Sequence, residues 1–264
     1  MKYLFKSFIC CFLLIAVVNN TMAQSNATAE EYIRLAENYK NASKPDSAVA
    51  LYEKAATEFE RAGENEKVAD AYNQMGSILA RQDKFDSAKL FLQKALSICL
   101  SLQDTNTLTI ARTYITLGVV YAAEDNFTQS LVYHNRALDI RLMKLGEDNS
   151  EVATSYGNIG NVYLRSRNFE NSLTAHLKAM HIREMLFGKN SSEIIQSYSG
   201  LGNVYREMKQ YDLSLQYFEK GIIVFDNDEW VHQYDFLSEL TSVAAEAAYL
   251  SGEYEKVDKH VQSI

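Results

Sequence analysis

One period governs this chain. Gly76, Gly118, Gly160 and Gly202 stand 42 residues apart, with Ala36 40 before the first and Ala245 43 after the last. Fixed offsets travel with each glycine. Tyr72, Tyr114, Tyr156 and Tyr198 lie four before it, and Met75, Leu117, Ile159 and Leu201 one before. Leu79, Tyr121, Tyr163 and Tyr205 lie three after it, Phe85, Phe127, Phe169 and Tyr211 nine after, and Ala95, Ala137, Ala179 and Gly221 nineteen after. A repeat of this length is one supersecondary unit, which buries its apolar face only by stacking on its neighbours. Such a chain is built to hold another molecule, not to transform it.

Each unit reads as two antiparallel helices, A and B. In the third unit the pattern predicts helix A over 108–123 and helix B over 127–144. At 100° per residue, Tyr156, Ile159 and Tyr163 fall within about 60° of one another, on the stripe that faces helix B. Gly160 borders that stripe, where a side chain would hold the helices apart; this explains a glycine that costs about 1 kcal/mol in a helix interior. On helix B, Ala88, Ser130, Ser172 and Ser214 are the matching small residues, and Phe127 and Phe169 plug the turn. A single proline, Pro45, leaves long helices uninterrupted.

An aromatic, a small residue and a tyrosine on helix A, followed by alanines on helix B, resembles the tetratricopeptide repeat. The usual repeat has 34 residues; the added length, Ala137 through Asp148 and again from Ala179 through Gly188, resembles the 42-residue form of kinesin light chains and of many bacterial solenoids. The resemblance implies an all-α, right-handed superhelical solenoid of antiparallel helix pairs. It covers 29–264 as repeats at about 29–68, 69–110, 111–152, 153–194, 195–237 and an incomplete 238–264. Where the family often has His-Pro, this chain has Asn149-Ser150 and Ser191-Ser192, which can cap the next helix.

In such a solenoid the A helices line the concave face, and the offsets −3, −2, +1, +4 and +5 from each glycine lie opposite the core stripe. They place Asn73, Gln74 and Arg81, then Ile115, Thr116 and Val119, then Asn158, Asn161 and Arg165, then Asn203, Arg206 and Glu207 in a groove. Ile115 and Val119 make an apolar floor beside an amide strip of Asn158, Asn161 and Asn203, edged by Arg165 and Arg206. Asparagine suits an extended peptide because its amide donates and accepts at once, and the resemblance implies cargo backbone gripped by helix-A asparagines, which Asn158 matches. Gly157 and Ser199 stand where the family's carboxylate clamp wants lysine, so that mode is not carried over. Arg81, Arg165 and Arg206 oppose only Glu207 among these offsets, which suits an acidic partner. The plainer alternative is a solvated scaffold surface.

The N-terminus reads as an export signal over residues 1–23: Lys2 and Lys6, an apolar core from Ser7 to Val18, and Thr21-Met22-Ala23 before a cut that leaves Gln24 first. The apolar run is too short to span a bilayer comfortably, so the mature chain is expected periplasmic or secreted, with 24–28 a short flexible lead and no membrane span. Cys10 and Cys11 leave with the signal, and Cys99 alone can form no internal disulfide. A net charge of −8, more negative still without the two lysines, argues against a nucleic-acid partner.

No catalytic, metal or cofactor pattern emerges. His134 and His176 share the offset sixteen after the glycine, where Leu92 and Phe218 stand in other units, and read as packing residues. Cys99 has no repeat-consistent base, and Gly200-Leu201-Gly202 lacks the strand and third glycine of a nucleotide loop. The reading is an exported, non-enzymatic scaffold that binds a protein or extended peptide, with self-association open at its uncovered C-terminal end. An alternative makes it the N-terminal sensory or docking arm of a longer chain carrying a caspase-like peptidase or sensor kinase beyond Ile264, as arrays of this look often are.

Overall fold

Helix A is joined to helix B by a three-residue turn in each of the first five units, and the residue seven after the glycine, or after Ala36, makes that turn. Ser43, Asp83, Asp125, Arg167 and Lys209 all take φ between 55° and 61°. The amide of the next residue then reaches back to the last turn of helix A: Lys84 N to Leu79 O at 3.0 Å, Asn126 N to Tyr121 O at 2.8 Å, Asn168 N to Tyr163 O and Gln210 N to Tyr205 O both at 2.9 Å. This closure satisfies carbonyls that a helix end leaves open and reverses the chain tightly.

The computed structural model describes the backbone of residues 2–101, 107–226, 234–253 and 256–257, and side chains from 21 to 101, 107 to 224, 241 to 253 and 256 to 257. Among the described residues there are eleven α-helices and no strand: α1 (Lys2–Asn41), α2 (Pro45–Ala62), α3 (Asn65–Arg81), α4 (Phe85–Ser101), α5 (Leu108–Ala123), α6 (Phe127–Leu145), α7 (Ser150–Arg165), α8 (Phe169–Phe187), α9 (Ile195–Glu207), α10 (Tyr211–Asp226) and α11 (Tyr234–Ser251). A 3₁₀ turn, Ser192–Ile194, precedes α9. The third unit's helices end within one residue of the bounds its periodicity predicts. Residues 24–28 lie inside α1, and most of the second helix expected after Gly252 lies outside the described residues.

The chain forms two compact units, 1–120 and 121–264. In the first, α1 packs on α2, α2 on α3 and α3 on α4; in the second each helix from α6 to α11 packs on the next. Return corners from helix B to helix A use Gly146 and Gly188, at φ 80°, ψ 173° and φ 86°, ψ 169°, a region open essentially to glycine alone. Asn149 Oδ1 then accepts from Glu151 N at 2.8 Å, and Ser191 Oγ from Glu193 N at 3.3 Å, the caps expected where the family places His-Pro.

Glycine on helix A receives a knob from helix B, sixteen residues on, at Gly76, Gly160 and Gly202. A Cβ at Gly76 would lie 2.6 Å from Leu92 Cγ, one at Gly160 2.7 Å from the His176 ring, and one at Gly202 2.5 Å from the Phe218 ring. Ser172 Oγ donates to Gly160 O at 2.8 Å and Ser214 Oγ to Gly202 O at 2.9 Å, so the small residue on helix B also ties down the glycine carbonyl. Ile159 is buried beside half-buried Tyr156 and Tyr163, in a cluster with Val152, Ala153 and Ala175.

Gly157 is the contrasting case, since a Cβ there meets nothing within 4 Å. Gly157→Ala should raise stability by about 1 kcal/mol through helix propensity. Gly160→Ala and Gly202→Ala should each lower it by about 1–2 kcal/mol, because overpacking outweighs that gain. Urea unfolding of the three variants beside the parent decides this; a Gly160→Ala protein as stable as Gly157→Ala would refute the knob-and-gap account.

Candidate functional site

The helix-A face of the second unit carries a polar cleft of about 310 Å³. Thr154, Gly157, Asn158 and Asn161 line it from α7, and Gln196, Ser199, Gly200 and Asn203 from α9. These are the same four offsets of successive repeats. His176 and Arg183 of α8 close the cleft from behind. His176 reaches it because the two A helices carry glycine in front of it: a Cβ at Gly200 would sit 2.5 Å from His176 Nδ1, just as one at Gly160 would meet the far edge of the ring.

The three predicted asparagines come together here. Asn161 is exposed and Asn158 and Asn203 are half-buried; among the described residues none of the three amides hydrogen-bonds to protein. The predicted arginines do not join them. Arg165 pairs with Asp125 at 2.9 Å and lies over the Phe127 ring, and Arg206 pairs with Glu246 at 3.1 Å. Glu207 is the sole acid among the groove offsets enumerated above, but carboxylates outside them, Asp125 of the neighbouring turn and Glu246 of α11, pair with these two arginines.

In the first unit, Asn73 is buried and its amide nitrogen and oxygen have no partner, so it is not an open groove residue. Gln74 lines a separate cleft of about 290 Å³ with Glu30, Lys67, Asp70 and Arg112, crossed by Lys67–Glu30 and Arg112–Asp70 ion pairs, each at 2.6 Å. Ile115 and Thr116 are half-buried, and Val119 is 48% exposed. Thr116 Oγ1 is spent on the Arg112 carbonyl at 3.1 Å.

Sequence reasoning missed Arg183 and its neighbours Thr154 and Gln196, and read His176 as packing alone. A signal was present: Arg141 and Arg183 stand at one offset, 23 after their glycines. Both are buried, at 7% and 6% exposure. Arg141 donates to Ser155 Oγ and to the Glu151 carbonyl, both at 2.8 Å, and pairs with the Glu151 carboxylate at 3.0 Å. Arg183 donates to Ser197 Oγ at 2.6 Å, Gln196 Oε1 at 3.3 Å and Thr154 Oγ1 at 3.5 Å. Glu193 is the repeat equivalent of Glu151, but it sits in the 3₁₀ turn and its carboxylate takes the Ser191 and Ser192 hydroxyls. Burial pulls the Arg183 guanidinium below its ordinary value, with no acid to offset it.

The chemistry of a nucleophile or a metal is not assembled among the described residues. Cys99 is buried and its thiol is pushed up to about 11, by burial first and then by Asp70 and Glu66, the reverse of an activated thiolate. No group of three or more His, Cys, Asp or Glu is placed to hold a metal ion, and no helix is long and apolar enough to cross a membrane, among those residues.

The tetratricopeptide repeat profile matches residues 26–101, 109–170 and 151–222. The chain belongs to the tetratricopeptide repeat family. A TPR repeat-containing protein of Dictyostelium discoideum is 35% identical over 85 residues, 32% of this chain; the chain spans only 5% of that relative's length. Among solved structures, BtubC (BKLC) from P. vanneervenii is similar over 93% of this chain and 88% of its own, at 17% identity and a TM-score of 0.67. The STAND protein with a tetratricopeptide repeat sensor from Pyrococcus horikoshii matches 93% of this chain and 36% of its own, at 15% identity and 0.73. Nearly identical TPR-like kinesin light chain repeats from Podosopora anserina match 76% and 97%, at 12% identity and 0.64.

The tetratricopeptide repeat pattern leaves two imidazoles inside the protein. Burial, and then the charge of Arg141 or Arg183, brings both His134 and His176 down to about 4. Between that value and the ordinary 6.5 the unfolded chain binds more protons than the folded one, so stability falls as pH drops through this window. Each histidine should account for a loss on the order of 3 kcal/mol by the low end. His176→Leu and His134→Leu, each placing the residue found at Leu92, should flatten the dependence. Equal slopes in urea unfolding from pH 7 to 4 for parent and His176→Leu would refute a neutral buried ring.

Proposed function

We propose that this protein is an exported, non-catalytic scaffold that holds an extended segment of a partner protein in the helix-A cleft of its second unit. The tetratricopeptide repeat is a protein-interaction fold, and kinesin light chain repeats are among its structural neighbours here. One observation carries the assignment to this cleft. Asn158, Asn161 and Asn203 line it on successive A helices with their amides unused by protein. An extended chain offers backbone carbonyls and N–H groups that lack partners, and an asparagine amide satisfies one of each. Helix ends and turns elsewhere in these repeats are closed by their own hydrogen bonds, whereas this strip is not. Export is supported by the basic, apolar and small-residue order of residues 1–23, and the reading places the mature protein in a periplasm or outside the cell.

Peptides selected from a random phage-displayed library on the exported protein test the cleft. Replacing Asn158, Asn161 and Asn203 together by alanine should weaken the selected peptides about 100-fold, at about 1 kcal/mol for each lost hydrogen-bonding side chain. Binders that tolerate the triple substitution would move the docking surface elsewhere. The same preparation tests export: its N-terminus should be Gln24, and protein that keeps Met1 would refute a cleaved leader.

A further inference from the structure

The second-unit cleft contains a cation without a counter-charge. Its lining residues include one arginine and no acid. Arg183 is 6% exposed and, among the described residues, bonds only to two hydroxyls and one amide oxygen. A guanidinium carries five N–H donors; these contacts engage three and leave two. Its repeat counterpart Arg141 shows what such a position ordinarily holds, a carboxylate at 3.0 Å. In the later repeat the 3₁₀ turn takes the equivalent Glu193 to the Ser191 and Ser192 hydroxyls instead. A buried charge held by neutral acceptors alone is under-compensated, and an incoming carboxylate that makes a two-pronged contact restores the balance.

Access and shape agree with that chemistry. Gly157 lines the cleft with Arg183, and a Cβ at Gly157 would enter open space. His176 closes the back of the same lining at 3% exposure, its Nε2 buried against Gly160 without a hydrogen-bond partner. Asn158 and Asn203 flank the cleft with free amide N–H groups. Arg165 and Arg206 are not part of this lining and pair with Asp125 and Glu246.

We propose that this cleft is a carboxylate subsite, in which Arg183 on helix B supplies the charge and Asn158 and Asn203 on the A helices supply flanking donors to an acidic side chain or chain terminus of the partner. The proposal deepens the groove reading and rests on it. It differs from a clamp of helix-A lysines because the cation comes from helix B, behind the A helices.

Three near-isosteric probes separate the sources: N-acetyl-glutamate α-amide with only a side-chain carboxylate, N-acetyl-glutamine with only a terminal one, and neutral N-acetyl-glutamine amide. Titrated at constant ionic strength into the ¹⁵N-labelled protein, at least one anion should shift the Arg183 Nε–H signal saturably, and the neutral probe should not. The Arg141 Nε–H signal serves as an internal reference. Arg183→Gln, read at the Asn158 and Asn203 side-chain amide signals, should weaken the anion about tenfold or more, as loss of a charge-assisted contact implies. Gly157→Leu, whose Cβ meets nothing in the fold, should do the same by filling the cleft, and it decides the matter if the arginine variant does not fold. Shifts that are linear in concentration, equal at Arg141, or unchanged in Gly157→Leu would overturn the subsite. If peptides still depend on the three asparagines while neither anion saturates, the carboxylate fails and the groove stands.

Discussion

A glycine facing a large side chain from sixteen residues on is the contact from which the rest of this architecture follows. With no Cβ on helix A, the backbones of the pair approach closely, and Leu92, His176 or Phe218 fills the space between them. The approach places the serine of helix B within 2.9 Å of the glycine carbonyl, so packing and a buried hydrogen bond stabilise the same spot. Interiors packed to crystal density tolerate neither a void nor an added methyl at such a point. Within the second unit, the tight turn at the seventh residue after the glycine and the glycine corners at 146 and 188 then bring successive helices back to pack on one another.

In the second unit this contact also has a functional face. The knob is an imidazole, and it is held from two sides, by Gly160 and by Gly200 of the next A helix. Glycines that admit the ring leave the A-helix face without side chains at those points, so polar groups of helix B lie close to the groove surface. Arg183 is the consequence that matters most. A residue that sequence order assigns to the back of the repeat lies at the floor of the front, among uncommitted asparagine amides.

The first unit follows the same geometry to a different end. Its cleft is laced by Lys67–Glu30 and Arg112–Asp70 pairs between consecutive A helices, so charges that could meet a ligand already meet each other. Thr154 and Gln196 occupy the equivalent positions in the second unit and are neutral. The offset six before the small residue of helix A, which supplies Glu30, Asp70 and Arg112 in the first unit and Thr154 and Gln196 in the second, thus accounts for three of the four charges that close one cleft and are missing from the other.

Helix bounds, turn positions, the cap at Asn149 and the role of Gly160 were legible in the sequence, because each depends on neighbours close along the chain or on a period that repeats them. The amide strip was legible for the same reason: helical phase alone puts Asn158, Asn161 and Asn203 on one face. Ion pairing was not. Arg165 meets Asp125 and Arg206 meets Glu246 across 40 residues, and phase on one helix says nothing of what the adjacent helix offers. Nor could periodicity reveal that Glu193, in register with Glu151, turns aside on a 3₁₀ step and leaves Arg183 to neutral partners. The sequence by itself determined a stack of helix pairs and the face on which they present amides. Tertiary structure alone decided which charges are spent, since Coulomb and hydrogen-bond partners are chosen by distance in space and not by position in the repeat.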